Sequence, residues 1–217
     1  MSENQQEKFW SGDFGKSYTD RNSRSNMEVD QAYKAWYGVS RADMNEIFLG
    51  SFPRDIRILE VGCNTGMQLV SLQSMGFNSL YGIELQDYAV QRAKEYSEGI
   101  NIIQGSAFDI PFKDNFFDLV FTSGVLIHIA PNNLPEIFSE MHRCSKKYIW
   151  GFEYYAPKTT SINYRGNEGF LWKADYGKLI CDQFKDVALT KHQLYPYITE
   201  GEKGNVDAMY LLEKKNA

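Results

Sequence analysis

From residue 51 onward, short apolar runs alternate with longer amphipathic stretches. Residues 57–63, RILEVGC, predict a buried strand bounded by a glycine, and residues 67–75 predict a helix ended by Gly76. A second strand is expected at 80–85, followed by a helix from about Asp87, a plausible N-cap, to Ser97. Further strands are expected near 100–104, 117–122 and 147–152, with a helix at about 132–143 between the last two. This alternation predicts an α/β fold of the doubly wound, Rossmann-like kind, with a mostly parallel sheet covered on both faces. Residues 184–194 and 206–212 look like two strands with no full helix between them, which makes seven strands and puts an antiparallel C-terminal hairpin at one edge. The first fifty residues carry no strand pattern and many aromatics, and predict a helical N-terminal cap in which Phe9, Phe14 and Tyr18 have near-helical spacing. With no repeat, low-complexity tract or linker, residues 1–217 read as one domain: a cap at 1–50, then a core carrying a substrate-covering insertion at about 154–175.

Composition narrows the choice. At 217 residues with 43% apolar side chains, the chain is long enough for a substantial core and unlike a disordered tail or a disulfide mini-protein. A formal net charge of -5 supplies no basic footprint for a phosphate backbone, so nucleic acid is not an expected partner. Cys63, Cys144 and Cys181 lie far apart outside any zinc-type cluster, so no metal is expected and a reducing compartment suits them. The polar start and the absence of a run near 18 apolar residues lead us to expect a cytoplasmic protein without a membrane partner, either monomer or homodimer. Aromatics, at 15%, are in surplus and gather in the cap and after the fifth strand.

The most informative segment is residues 58–66, ILEVGCNTG, where a strand runs into a glycine turn that opens a helix. Such a turn lets backbone approach a ligand and presents the unpaired N–H groups of a helix start. A dinucleotide fingerprint requires GxGxxG, but Asn64 fills the second glycine position and the third glycine comes one residue early, which disfavours a nicotinamide-dependent oxidoreductase. Glu60, near the strand end, suits a ligand with positive charge. Glu84 ends the second strand twenty-two residues after Gly62, where doubly wound folds put an acidic residue on ribose hydroxyls.

The pattern Glu60-x-Gly62-x-Asn64-x-Gly66 resembles the first motif of the class I S-adenosylmethionine-dependent methyltransferases. The resemblance implies S-adenosyl-L-methionine as cofactor and S-adenosyl-L-homocysteine as product. The turn would hold the methionine part, Glu84 and the adjoining Leu85 would meet the ribose side, and the end of the fourth strand at Thr122 would border the amino-acid group. In the family a pattern like GDAxDLPF supplies an acidic contact to adenine. Here residues 105–112 read GSAFDIPF, so Ser106 or the Ala107 backbone would take that contact, with Phe108 packing on the ring. Three further stretches resemble the methylases associated with pseudaminic acid biosynthesis: residues 9–22, residues 124–131 (GVLIHIAP), and the group EYYAP at 153–157, YRG at 164–166 and WKAD at 172–175. That likeness implies a methyl acceptor that is a sugar or a nonulosonic-acid-type precursor of surface glycans. The chain departs from the group after Asp175 and near 205–207.

Methyl transfer needs an in-line acceptor, exclusion of water and a proton acceptor. His128, just past the fourth strand, is either that base or a structural histidine of the loop. Glu153 could orient, deprotonate or bind a cationic substrate, or form an ion pair with Lys173 or Arg165. Tyr154, Tyr155, Tyr164, Arg165 and Lys173 are candidates for substrate contact, the guanidinium suiting a carboxylate or phosphate. In the cap, Trp10, Phe14 and Tyr18 could form a lid or simply a packed helix, and Tyr18 and Arg21 are the candidates for cofactor-side contact. A non-catalytic cofactor-binding protein of the same fold is the remaining alternative.

Overall fold

The sequence periodicity resolves into helices and strands in the computed structural model, which describes residues 5–22 and 25–215. Four helices come first, as the cap predicts: α1 (Gln5–Ser11), α2 (Asp13–Asn22), α3 (Asn26–Tyr37) and α4 (Arg41–Leu49). The start of α3 is a capping box, in which Ser25 Oγ accepts from the Glu28 amide and the Glu28 carboxylate accepts from the Ser25 amide. There follow β1 (Arg57–Val61), α5 (Met67–Ser74), β2 (Ser79–Glu84), α6 (Asp87–Tyr96), β3 (Asn101–Gln104) and β4 (Phe117–Ser123). The second half holds α7 (Leu134–Cys144), β5 (Ser145–Tyr154), the short strands β6 (Thr160–Ser161) and β7 (Trp172–Lys173), α8 (Tyr176–Gln183), β8 (Val187–Pro196) and β9 (Val206–Lys214).

Three local details differ from expectation. Gln86, not Asp87, is the N-cap of α6, and its side chain makes no capping bond because it serves elsewhere. Fifth-strand pairing extends to Tyr154, two residues beyond the apolar run, because β9 supplies partners that far. Helix α8 was not expected; Asp175 caps it, accepting from the Lys178 amide at 3.0 Å, and it buries Tyr176 and Ile180.

The seven-stranded sheet has the order β3-β2-β1-β4-β5-β9-β8, parallel through β5 and antiparallel for β9 and β8. Alternation along β1 sends Ile58 into one apolar layer with α4, α5 and α6, and Leu59 into the other with α7 and α8. Strand order reverses between β1 and β4, and at that switch the carboxyl ends of the parallel strands leave a crevice. Because β9 runs antiparallel, its beginning lies at the same edge, with Asp207 opposite Tyr154. Among the described residues, no helix is long and apolar enough to cross a membrane.

One cross-strand pair shows how tightly the second layer is filled. Gly151 of β5 faces Tyr210 of β9, and a Cβ added at Gly151 would come within 2.3 Å of the buried Tyr210 ring. We expect Gly151→Ala to lower stability by about 1–3 kcal/mol through overpacking, read as a lower urea midpoint. An unchanged midpoint would refute this packing.

Candidate functional site

A cavity of about 590 Å³ opens in the crevice at the switch point. Its floor is the turn after β1, where Gly62, Asn64 and Gly66 all have positive φ, at 74°, 47° and 75°. A Cβ at Gly62 would lie 2.7 Å from Val125, so the glycine serves both the backbone angle and the packing beneath. Asn64 is the non-glycine residue best suited to this conformation, and its N–H donates to Glu84 Oε2 at 2.9 Å. The Gln86 amide donates to Glu84 Oε1 at 2.9 Å. The Glu84 carboxylate is thus held rigidly at the end of β2 by backbone amides on both oxygens, with acceptor capacity left for a ligand hydroxyl.

Glu60 is 2% exposed, and its Oε2, like the side-chain oxygen of Asn64, is buried without a partner on the cavity wall. Burial pushes the Glu60 carboxyl well up, against the pull of the Arg41 charge. A ligand ammonium would satisfy both orphaned acceptors. Leu85, Ala107 and Phe108 line the adjoining part and offer an apolar slot for a flat ring. The amide-held carboxylate, the orphaned acceptors and the slot together fit an adenosyl amino acid.

The cap forms the roof. Gln86 Nε2 donates to the Gly12 carbonyl at 2.9 Å and the Trp10 carbonyl at 3.3 Å, satisfying carbonyls at the end of α1. Ser106 Oγ donates to Glu7 Oε1 at 2.6 Å, and Tyr88 donates to Asp20 at 2.6 Å. Gly15 allows the α1–α2 turn to fold back, since a Cβ there would overlap the Trp10 carbonyl. The cap's rings pack, Phe9 against Phe170 and Trp10 against His128, and its inner edge, including Tyr18 and Thr19, lines the cavity. Burial pushes the Tyr18 phenol up, so it stays a neutral donor.

His128 is 7% exposed at the end of a 3-10 turn, Leu126–His128. Its Nδ1 lies 2.9 Å from the Phe170 carbonyl, which can only accept, so Nδ1 carries the hydrogen and Nε2 the lone pair. Burial lowers its pKa to about 4, leaving the ring neutral. Glu153, 1% exposed, accepts from the amides of Val125 at 3.2 Å and Ile127 at 3.4 Å, which fixes the turn that carries His128. Burial raises the Glu153 carboxyl to about 7. The alternative ion pair is not formed: Lys173 bonds Asn205 instead.

Several expected contacts fall just off the cavity. Thr122 is fully buried in β4, while the next residues, Ser123 and Gly124, reach the wall. Gly66 shapes the turn from behind, where a Cβ would meet Ile102 at 2.8 Å. Arg21 is exposed, its guanidinium 5.9 Å from the Phe14 ring, and Asn22 of the same helix lines the cavity in its place. Tyr154 lines the cavity, but pleating turns Tyr155 away, onto His192 at 6.0 Å. Lys173 stands behind the Tyr154 ring at 5.8 Å. Ser106 reaches the wall, but its hydroxyl donates to Glu7 and accepts from the Phe108 amide, so it ties the roof to the slot. Tyr164 and Arg165 line the cavity as expected, the exposed Arg165 held at φ 52°.

Sequence reasoning missed Asp207, Tyr37, Tyr197 and Gln86. Asp207 Oδ2 accepts from Tyr37 at 2.5 Å and Tyr197 at 3.1 Å, a cluster assembled from α3, β9 and the segment between β8 and β9. Only the antiparallel pairing of β9 signals that position 207 belongs at the ligand edge.

Residues 59–148 match a family model described as a methyltransferase domain. A sterol 24-C-methyltransferase of Pneumocystis carinii is 33% identical over 95 residues, covering 41% of this chain and 25% of that protein. An uncharacterized methyltransferase of Synechocystis is 34% identical over 90 residues, 42% of each chain. The chain therefore spans from a quarter to about two-fifths of the length of these curated relatives. Among solved structures, the magnesium protoporphyrin IX methyltransferase of Synechocystis, with bound S-adenosylhomocysteine, superposes with a TM-score of 0.68 at 14% identity, covering 96% of this chain and 98% of that one. The 1,6-didemethyltoxoflavin-N1-methyltransferase of Burkholderia thailandensis gives 0.68 at 14% identity, over 94% and 86%. These likenesses establish the methyltransferase fold.

Two outcomes test this geometry. Gln86→Ala removes the hydrogen bonds that hold α1 down, and hydrogen exchange over residues 5–22 should accelerate at least several-fold; unchanged exchange would show the roof is held otherwise. The pKa of His128 is about 4 in the folded protein against 6.5 unfolded, so the protonated ring is disfavoured by folding. Its contribution is complete above pH 6.5 and is lost as pH falls through 4, up to about 3 kcal/mol. His128→Asn, which retains the bond to Phe170, should stabilise the protein relative to wild type at pH 4; equal pH dependence of the two would contradict a neutral, buried ring.

Proposed function

We propose that the protein is an S-adenosylmethionine-dependent methyltransferase that methylates an oxygen or nitrogen of a small molecule. The observation that carries this reading is Glu84, pinned by the Asn64 and Gln86 amides beside a turn of positive-φ residues, with the unpartnered Glu60 and Asn64 oxygens facing the same cavity. When bound, S-adenosylmethionine supplies a methyl group on a positively charged sulfur, and S-adenosylhomocysteine remains after transfer.

The chain's own residues do the rest. Glu84 accepts from the ribose hydroxyls, Glu60 balances the ammonium, and Leu85, Ala107 and Phe108 enclose the base. The α1–α2 roof excludes water. His128 Nε2 takes the acceptor's proton, which grows more acidic as the heteroatom commits its electron pair, so a weak base that starts neutral suffices, and the imidazolium formed gives the proton on to solvent. Glu153 acts through His128: its carboxylate holds the turn on which the imidazole stands, making it a positioning residue. A sugar or nonulosonic-acid-type precursor is the acceptor we favour. Supporting it are the sequence likeness of the 153–157 and 164–166 stretches and the presence of Tyr154, Tyr164 and Arg165 on the cavity wall. The sterol methyltransferases that the protein resembles match about two-fifths of this chain and a quarter of their own length, and offer a sterol as the competing acceptor.

Calorimetry with S-adenosylhomocysteine tests the cofactor assignment. Glu84→Ala should weaken binding roughly a hundred-fold or more, two charge-assisted bonds contributing about 1.5–3 kcal/mol each. Unchanged affinity, or wild-type preference for NADH, would sink it. His128→Asn should leave that affinity within about two-fold and depress kcat, whereas full activity would make the histidine structural.

A further inference from the structure

The end of the cavity away from the glycine turn is unlike the cofactor half. Its walls are rings set at steep angles to one another: Tyr37 to Tyr197 at 4.7 Å and 62°, Tyr33 to Tyr37 at 5.3 Å and 55°, Tyr33 to Trp36 at 5.8 Å and 48°. Among these rings stands Asp207, 2% exposed and on the cavity wall. Its Oδ2 is occupied by the hydroxyls of Tyr37 and Tyr197, while its Oδ1 is buried with no partner. Among the described residues no cation is paired with it. Two cations act on it from a distance without pairing: Lys173, whose ammonium bonds Asn205, and the buried Arg41, engaged through Nε and Nη1 with Asn45 Oδ1 and the Tyr33 hydroxyl; Arg165 lies exposed.

An unpaired buried carboxylate is costly unless the ligand brings a matching charge. Aromatic walls add attraction for a cation through their ring quadrupoles and none for a hydroxyl. The hydrogen-bond inventory also fits. With the hydrogens of Tyr37 and Tyr197 given to Oδ2, Oδ1 is the acceptor left unfilled, and an ammonium N–H supplies the donor it lacks.

We propose that this chamber binds a protonated amine of the acceptor substrate, with Asp207 Oδ1 as its counter-ion. The inference rests on the methyltransferase reading and goes beyond it. A protonated amine has no electron pair to receive a methyl group. The amine held at Asp207 is therefore the anchor that orients the substrate, and methylation falls on a different atom. Burial raises the Asp207 carboxyl to about 6, which still leaves it largely ionised at neutral pH, and an ammonium beside it would complete the ionisation.

The test incubates the full-length protein with methyl-labelled S-adenosylmethionine and a small-molecule extract of the source cells, and resolves the labelled product by mass before and after acetylation of free amines. The expected product carries a free amine and gains the mass of an acetyl group. With its unmethylated precursor as substrate, Asp207→Asn should raise KM at least ten-fold, leave kcat within about three-fold, and bind S-adenosylhomocysteine as wild type does. Tyr197→Phe, a milder change, should raise KM several-fold and serves if the first variant fails to fold. A labelled product without an amine, or variants with unchanged KM, would overturn the amine site and leave the methyltransferase reading intact. No labelled product, with no binding of S-adenosylhomocysteine, would overturn that reading and the amine site with it.

Discussion

Four carboxylates stand at one edge of one sheet, and the burial of their negative charge organises everything around them. Glu60 comes near the end of β1, Glu84 ends β2, Glu153 nears the end of β5, and Asp207 lies at the beginning of the antiparallel β9. Each needs donors or a cation, because a bare carboxylate in a dry site is unfavourable. Glu84 and Glu153 are met by backbone amides of the turn after β1 and the turn after β4. Asp207 is met by phenols from the cap and from the segment before β9. Glu60 and one oxygen of Asp207 are left for ligands.

Those pairings divide the cavity into two halves with different chemistry. Beside the glycine turn, amides and short loops allow close backbone approach to a ligand. At the far end the aromatic residues of α3 meet Tyr154 and Tyr197 around Asp207. The aromatic surplus of the composition thus has two uses: Trp10, Phe9 and Phe14 roof the site, and Tyr33, Trp36 and Tyr37 wall it. Gln86 links the glycine-turn half to the roof mechanically, its backbone holding Glu84 while its side chain holds the end of α1. A ligand that rearranged the loop after β2 would therefore be felt by the roof.

The parallel strands, the glycine turn, the hairpin and the helical cap were legible because each is a local pattern of period two or near 3.6, or a glycine at a sharp turn. Glu84, Glu60, Phe108, His128 and Tyr164 were legible because strand ends and the segments that follow them lie at the ligand edge of a doubly wound sheet. The expectations that failed did so by a residue or a side: Thr122 against Ser123, Tyr155 against Tyr154, Arg21 against Asn22. Neighbours on a strand face opposite ways, and periodicity alone leaves open which side holds the ligand.

By itself the sequence determined the layer architecture and the glycine-turn end of the cavity, since both are written in runs of about ten residues. Tertiary structure alone decided the far end, around Asp207. Tyr37 and Asp207 lie 170 positions apart and meet only because β9 runs antiparallel beside β5 while α3 packs across the same edge. It decided the state of His128 as well: no spacing of residues discloses that Phe170 will take the Nδ1 hydrogen and that the surrounding rings will shut out water. Local pattern follows from chain geometry, whereas desolvation and hydrogen-bond partners depend on which distant segments are brought together.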